Sequence, residues 1–166
     1  IVAIAAAKNK NHKHRIIEKK RLFGMDFEQQ AEEIFKFCER YNVTYIGMDT
    51  TGLGDAVAQL VEKKKPGLVR RFVYSPSVKY QLVLKAQHVI DRGRLEFDSG
   101  DTDIAHSFMA IRKTMTDSGT EMTFKAGRNK RTGHAELAWA TIHAIANEPM
   151  DVSLEDNNQS FLEIYS

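Results

Sequence analysis

Val43-Thr44-Tyr45-Ile46-Gly47-Met48-Asp49-Thr50-Thr51-Gly52-Leu53-Gly54-Asp55 is the stretch on which the fold turns. Its first half is short, apolar and β-branched, as in a strand buried at the centre of a sheet. The run ends at a carboxylate, Gly52 and Gly54 follow, and the spacing predicts a helix from about Ala56 to Lys64, broken by Pro66-Gly67. In open α/β sheets, ligands bind beyond the carboxyl ends of the strands. Asp49 would therefore be held by rigid backbone and still reach solvent, while Gly52 and Gly54 permit a tight turn and close backbone approach. Position alone leaves two readings open: a functional carboxylate, or a loop acid that caps the next helix.

Upstream, Ile1 to Ala7 and Arg15 to Phe23 read as two strands, joined across Lys8-Asn9-Lys10-Asn11-His12-Lys13-His14 as a polar hairpin turn. Asp26, with Gln29 three residues on, forms a capping box before a helix whose apolar side carries Phe27, Ala31, Ile34, Phe35 and Cys38. Downstream, Leu68 to Tyr74 is a strand, Ser75-Pro76-Ser77 is a turn and helix start, Lys79 to Asp91 is a helix, and Leu95 to Phe97 is a short edge strand. Helical spacing of Ile104, Phe108 and Ile111 predicts a helix over 103–115, with Asp101 or Asp103 as its cap. Glu121 to Lys125 alternates as a strand, and an Ala-rich helix covers His134 to Ala146. Strands alternating with helices give an α/β fold, with an antiparallel hairpin at one edge of a mainly parallel sheet. Residues 1–150 read as one domain and residues 151–166 as a flexible polar tail with a short amphipathic end.

Composition narrows the function. With 42% hydrophobic and 28% charged residues the chain can bury a core. No apolar run approaches the ~18 residues of a membrane span. Ile1 to Ala7 lacks the charged lead of a signal peptide, and the missing initiator Met points to a piece of a longer chain. The single cysteine, Cys38, excludes an internal disulfide and a multi-cysteine zinc site. At net +2 there is no bulk polycation, but Lys8 to Arg15 and Arg128-Asn129-Lys130-Arg131 are acid-free basic runs. Each reads singly as a solvated turn. Without a Gly-Lys-Ser/Thr sequence there is no P-loop, and Asp98-Ser99-Gly100-Asp101-Thr102-Asp103 lacks the closing glutamate of an EF-hand. No Ser, Cys or His constellation offers a nucleophile.

His134-Ala135-Glu136 opens the last helix, directly after the second basic run. An acid there complements the helix dipole, and His134 is a helix-start hydrogen bonder or a proton carrier. Paired with Asp49, Glu136 offers a second hard oxygen ligand for a divalent cation. Such ions, in pairs ~4 Å apart, activate water and neutralise the leaving oxygen in phosphodiester cleavage. Two carboxylates are one short of a usual two-metal site. His88, His106 and His143 lie on helices and read as packing or surface residues rather than ligands.

Gly24-Met25-Asp26-Phe27, Tyr45 to Gly54, Tyr74-Ser75-Pro76, Arg92 to Asp98, Ser107 to Thr114 and His134 to Ala140 together resemble the nuclease half of the large terminase subunit of temperate tailed phages, of the myophage type. The resemblance runs over nearly the whole chain. It implies a ribonuclease H-like mixed sheet flanked by helices, with the first strand and its aspartate missing from this chain. It implies Mg²⁺- or Mn²⁺-dependent cutting of concatemeric double-stranded DNA during genome packaging, in the bacterial host cytoplasm. Asp49 matches the family's central-strand acid, and Glu136 its last-helix acid, where relatives often have Asp. His134 and Asp55 would lie behind these ligands, and Lys8, Lys10, Lys13, Arg15, Arg128, Lys130 and Arg131 would touch the DNA backbone. Portal protein, the small terminase subunit and an upstream ATPase domain are the implied partners; a membrane is not. Without the first-strand aspartate this chain alone would cut weakly or not at all. The rival readings are a junction-resolvase-type nuclease of the same fold, or a docking module for DNA or portal that has lost catalysis.

Overall fold

The computed structural model describes residues 1–9, 11–127, 133 and 135–147. The elements are β1 (Val2–Ala5), β2 (His14–Lys19), α1 (Phe27–Arg40), β3 (Ile46–Asp49), α2 (Gly54–Lys64), β4 (Val69–Phe72), α3 (Pro76–Asp91), β5 (Leu95–Glu96), α4 (Thr102–Ala110), β6 (Ile111–Met115), β7 (Met122–Ala126) and α5 (Glu136–Ile145). The boundary expected at residue 150 and the tail beyond it lie outside the described residues.

Local chemistry accounts for the helix starts. Asp26 and Gln29 form the expected capping box, with Gln29 N–H donating to Asp26 Oδ1 at 2.8 Å and Asp26 N–H to Gln29 Oε1 at 3.0 Å. Ser75 Oγ caps α3 by accepting from Val78 N–H at 3.1 Å, and Pro76 sits in the first turn, where its missing N–H costs nothing. Asp101 occupies the cap position of α4, but its carboxylate reaches Lys19 Nζ at 2.8 Å and makes no capping hydrogen bond. Asp103 also pairs with Lys19. An ion pair to β2 outcompetes the local cap.

Among the described residues hydrogen bonding groups the strands as β1-β2-β5, β3-β4 and β6-β7. β1 is antiparallel to β2, β2 parallel to β5, and β3 parallel to β4 with Asp49 opposite Phe72. The helix expected over 103–115 stops at Ala110, and Ile111–Met115 is instead a strand, antiparallel to β7. Ile111, Arg112, Lys113, Thr114 and Met115 suit either period. A turn at Thr116, whose N–H donates to the Glu121 carbonyl at 2.8 Å, brings β7 alongside and decides the conformation.

α5 is the central packing element and lies against β1, β3, α3 and α4. Its Ile142 and Ile145 join Phe72, Leu82, Val83, Val89 and Phe124 in the largest core cluster. Leu137 joins Ile16 and Ile104 in a second. A third, between α1 and α2, holds Ala31, Ile34, Phe35, Val57 and Val61, with Cys38 packed at its margin. Burial raises the Cys38 thiol pKa, as befits a packing residue.

Candidate metal and DNA site

Asp49 is the last residue of β3, and its loop is tied at both ends. Thr51 N–H donates to Asp49 Oδ1 at 2.9 Å, and Tyr74 N–H donates to Thr51 Oγ1 at 2.7 Å. Thr50 N–H donates to the Phe72 carbonyl at 2.9 Å, extending the β3–β4 ladder by one rung. Gly52 has φ +91°, and a Cβ on Gly54 would collide with the Asp49 carbonyl oxygen, so both glycines are required by the turn. Asp49 is exposed, and its Oδ2 has no hydrogen bond among the described residues.

Glu136 is the first residue of α5. The preceding Ala135 is fully buried and left-handed, φ 63° and ψ 38°, and makes no side-chain cap. Ser107 of α4, 1% exposed, supplies the missing cap, its Oγ accepting from Ala138 N–H at 2.9 Å. Glu136 itself is exposed, and its carboxylate lies over Gly133, where a Cβ would stand 2.6 Å from Glu136 Cδ.

Asp49 and Glu136 line one cleft, of about 1290 Å³, together with Tyr74, Lys79, Trp139 and His143. β1, Tyr45 and β3 also line the cleft. β1 and β3 each have only one hydrogen-bonded neighbour among the described residues, so each leaves one strand edge unpaired there. The buried Tyr45 hydroxyl has no partner there.

The floor near Asp49 is aromatic. His143 stacks on Phe72 with ring centroids 4.9 Å apart, and its Nε2 is 2.8 Å from the Tyr74 hydroxyl. Burial lowers the His143 pKa to about 4, against the opposing pull of the Asp49 charge, so the ring is neutral at pH 7. Burial first, and the Asp49 charge second, push the Tyr74 phenol well above its ordinary range. Lys79 Nζ lies 4.8 Å from the Tyr74 ring centroid and 5.9 Å from that of Trp139.

The other expected site residues divide. Lys8, Lys13 and Arg15 are exposed on the β1–β2 hairpin. Buried Arg94 pins that loop, donating from Nε to the His12 carbonyl at 3.2 Å and from Nη2 to the Asn9 carbonyl at 3.3 Å. Asp55 does not line the cleft: it pairs with Arg71 and accepts from Gln59 Nε2 at 2.7 Å. Lys10, Arg128, Lys130, Arg131 and His134 lie outside the described residues. Tyr74, Lys79, Trp139 and Ser107 were not singled out from the sequence as site residues. Tyr74, Ser107 and Trp139 fall within the blocks Tyr74-Ser75-Pro76, Ser107 to Thr114 and His134 to Ala140 that carry the family resemblance, and that is the signal the sequence holds for them; Lys79 falls in none.

Asp49 and Glu136 are hard oxygen donors and suit Mg²⁺ or Mn²⁺ in kind. Among the described residues no three His, Cys, Asp or Glu side chains gather into a metal-binding group. Among the described residues no helix is long and apolar enough to cross a membrane.

Comparison with known proteins agrees with this architecture. The terminase ATPase subunit of Escherichia phage P2 is 51% identical over 154 residues, covering 92% of this chain and 26% of that protein. The chain thus spans about a quarter of the length of the curated relatives it matches. The large terminase nuclease from thermophilic phage G20c superposes with a TM-score of 0.67 at 24% identity, over 89% of this chain and 82% of that one. The same nuclease with bound magnesium gives 0.67 at 22% identity, over 88% and 79%. These likenesses confirm the ribonuclease H-like mixed α/β fold. The model of the terminase RNaseH-like domain matches residues 1–148, and this chain belongs to that family.

Proposed function

We propose that this chain is the endonuclease part of a phage DNA-packaging terminase, cutting concatemeric double-stranded DNA with the help of divalent cations. The observation that carries the reading is the convergence of Asp49 and Glu136, 87 positions apart in sequence, on one cleft. The magnesium-bound relative supports the choice of ion. Asp49 Oδ2 and the Glu136 carboxylate would hold Mg²⁺ or Mn²⁺, which lowers the pKa of water and neutralises charge on the phosphate. The buried His143–Tyr74 pair fixes the floor beneath Asp49. The exposed Lys8 and Lys13, on a loop pinned by Arg94, and Arg15 at the start of β2 would take backbone phosphates. With backbone contacts alone, cutting would carry little base preference.

A third carboxylate would enter on a strand seated between the open edges of β1 and β3, from a region upstream in the same polypeptide. The ATPase motor of that polypeptide, the small terminase subunit and the portal protein are the expected partners, in the host cytoplasm. Plasmid nicking and linearisation by the full-length gene product, in Mg²⁺, Mn²⁺ or EDTA, tests the reading. Metal-dependent cutting that disappears in Asp49→Asn is the expected result. Cutting that persists in EDTA or in Asp49→Asn refutes it.

A further inference from the structure

Lys79 lines the cleft with Asp49 and Glu136 and has no part in the metal chemistry proposed for them. It stands in the first turn of α3, at the positive end of the helix dipole, where a cation lowers helix stability and where α3 carries no acidic residue. Nothing local therefore calls for a lysine at this position. Its ammonium is placed by two rings, Tyr74 at 4.8 Å and Trp139 at 5.9 Å. Both rings belong to the carboxylate site. Tyr74 N–H is bonded to Thr51 of the Asp49 loop, and Trp139 lies one helical turn beyond Glu136, on the same face of α5. Lys79 makes no salt bridge within the described residues, although two carboxylates line the same cleft. A ring face occupies one side of an ammonium and leaves N–H donors for another acceptor.

We propose that Lys79 binds a phosphate of the DNA strand lying in the cleft, opposite the oxygens of Asp49 and Glu136. The positive N-terminus of α3 reinforces it, and the Tyr74 and Trp139 rings hold the side chain in its bound position before DNA arrives, which reduces the ordering cost of binding. This inference rests on the nuclease reading above.

The test uses the full-length gene product and a fluorescent 30-bp duplex, with Ca²⁺ replacing Mg²⁺, and measures affinity across a salt series. One phosphate contact contributes about 0.9 to the slope of log K against log[salt]. Lys79→Met is expected to reduce that slope by about 1, while Lys79→Arg keeps it, because the guanidinium preserves both the charge and the ring contact. In Mg²⁺, Lys79→Met is expected to lower kcat/KM for plasmid nicking while its melting temperature stays near that of the unmodified protein. A slope and a kcat/KM both unchanged in Lys79→Met, with cutting still abolished by Asp49→Asn, would overturn the role of Lys79 and leave the nuclease reading in place. Cutting indifferent to Asp49→Asn would overturn both.

Discussion

Replacing Gly47 with alanine tests how closely the helix that carries Glu136 must sit on the strand that carries Asp49. A Cβ at Gly47 would meet the His143 carbonyl oxygen at 2.7 Å and both His143 C and Cβ at 3.0 Å. Ordinary contact begins near 3.4 Å, so α5 must retreat by about 0.7 Å. The obstructing atoms belong mainly to helix backbone, which cannot rotate aside as a side chain could. Overpacking of this kind costs about 1–3 kcal/mol, offset by about 0.4–1 kcal/mol through the stiffer unfolded chain. The same offset acts in Gly127→Ala, so at about 2–4 °C per kcal/mol for a domain of this size the expected loss relative to that variant is of order 2–12 °C in melting temperature. Glu136 stands seven residues up the same helix, about 10 Å along its axis. Tilting α5 therefore displaces the carboxylate relative to Asp49, and a misplacement approaching 1 Å costs up to about 100-fold in rate. Gly127→Ala is the control, because a Cβ there meets nothing within 4 Å and its φ is not left-handed. Differential scanning fluorimetry and plasmid nicking, run on both variants, give the two readouts. Equal melting temperatures for Gly47→Ala and Gly127→Ala would refute the close-contact argument.

Ser107→Ala removes the cap that another helix lends to α5 and strands the buried Ala138 N–H; a loss of about 1–3 kcal/mol in urea unfolding is expected. Acid should weaken the fold through His143, whose pKa is near 4 when folded and near 6.5 when unfolded. The unfolded chain binds more protons between those values, so stability is full above pH 6.5 and falls as pH drops towards 4. His143→Phe, which can keep the stack on Phe72, should flatten the urea midpoint over that window; an unchanged slope would show that the ring is not held neutral. Asp55→Asn should leave the rate of nicking within about twofold, since its carboxylate serves Arg71 and Gln59 outside the cleft. A large rate loss with normal melting would return Asp55 to the site.

The parts that were legible in the sequence are those set by neighbours along the chain. The Asp26–Gln29 box, the Ser75-Pro76 start and the sharp turn from β3 through Gly52 and Gly54 each follow from backbone chemistry within a few residues. Asp49 stood out because a carboxylate that ends a buried strand is uncommon. What depended on distant partners was not legible. Ile111 to Met115 fits a helical period as a continuation of α4, and only pairing with β7 makes it a strand. Asp101 suited a local cap until Lys19 of β2 came within reach. The cap from Ser107 crosses from α4 to α5, and the placement of Lys79 depends on rings from the end of β4 and from α5. Asp55 was placed near the site by its closeness in sequence, but the first turn of α2 aims it at Arg71 on β4.

Anomalous diffraction from crystals of the full-length gene product soaked in Mn²⁺ tests the central claim most directly. A peak is expected in the cleft, bonded at about 2.1 Å to an oxygen of Asp49 and an oxygen of Glu136, and lost in Asp49→Asn. Mn²⁺ bound by other residues, in a protein that cuts plasmid DNA in the same buffer, would contradict it.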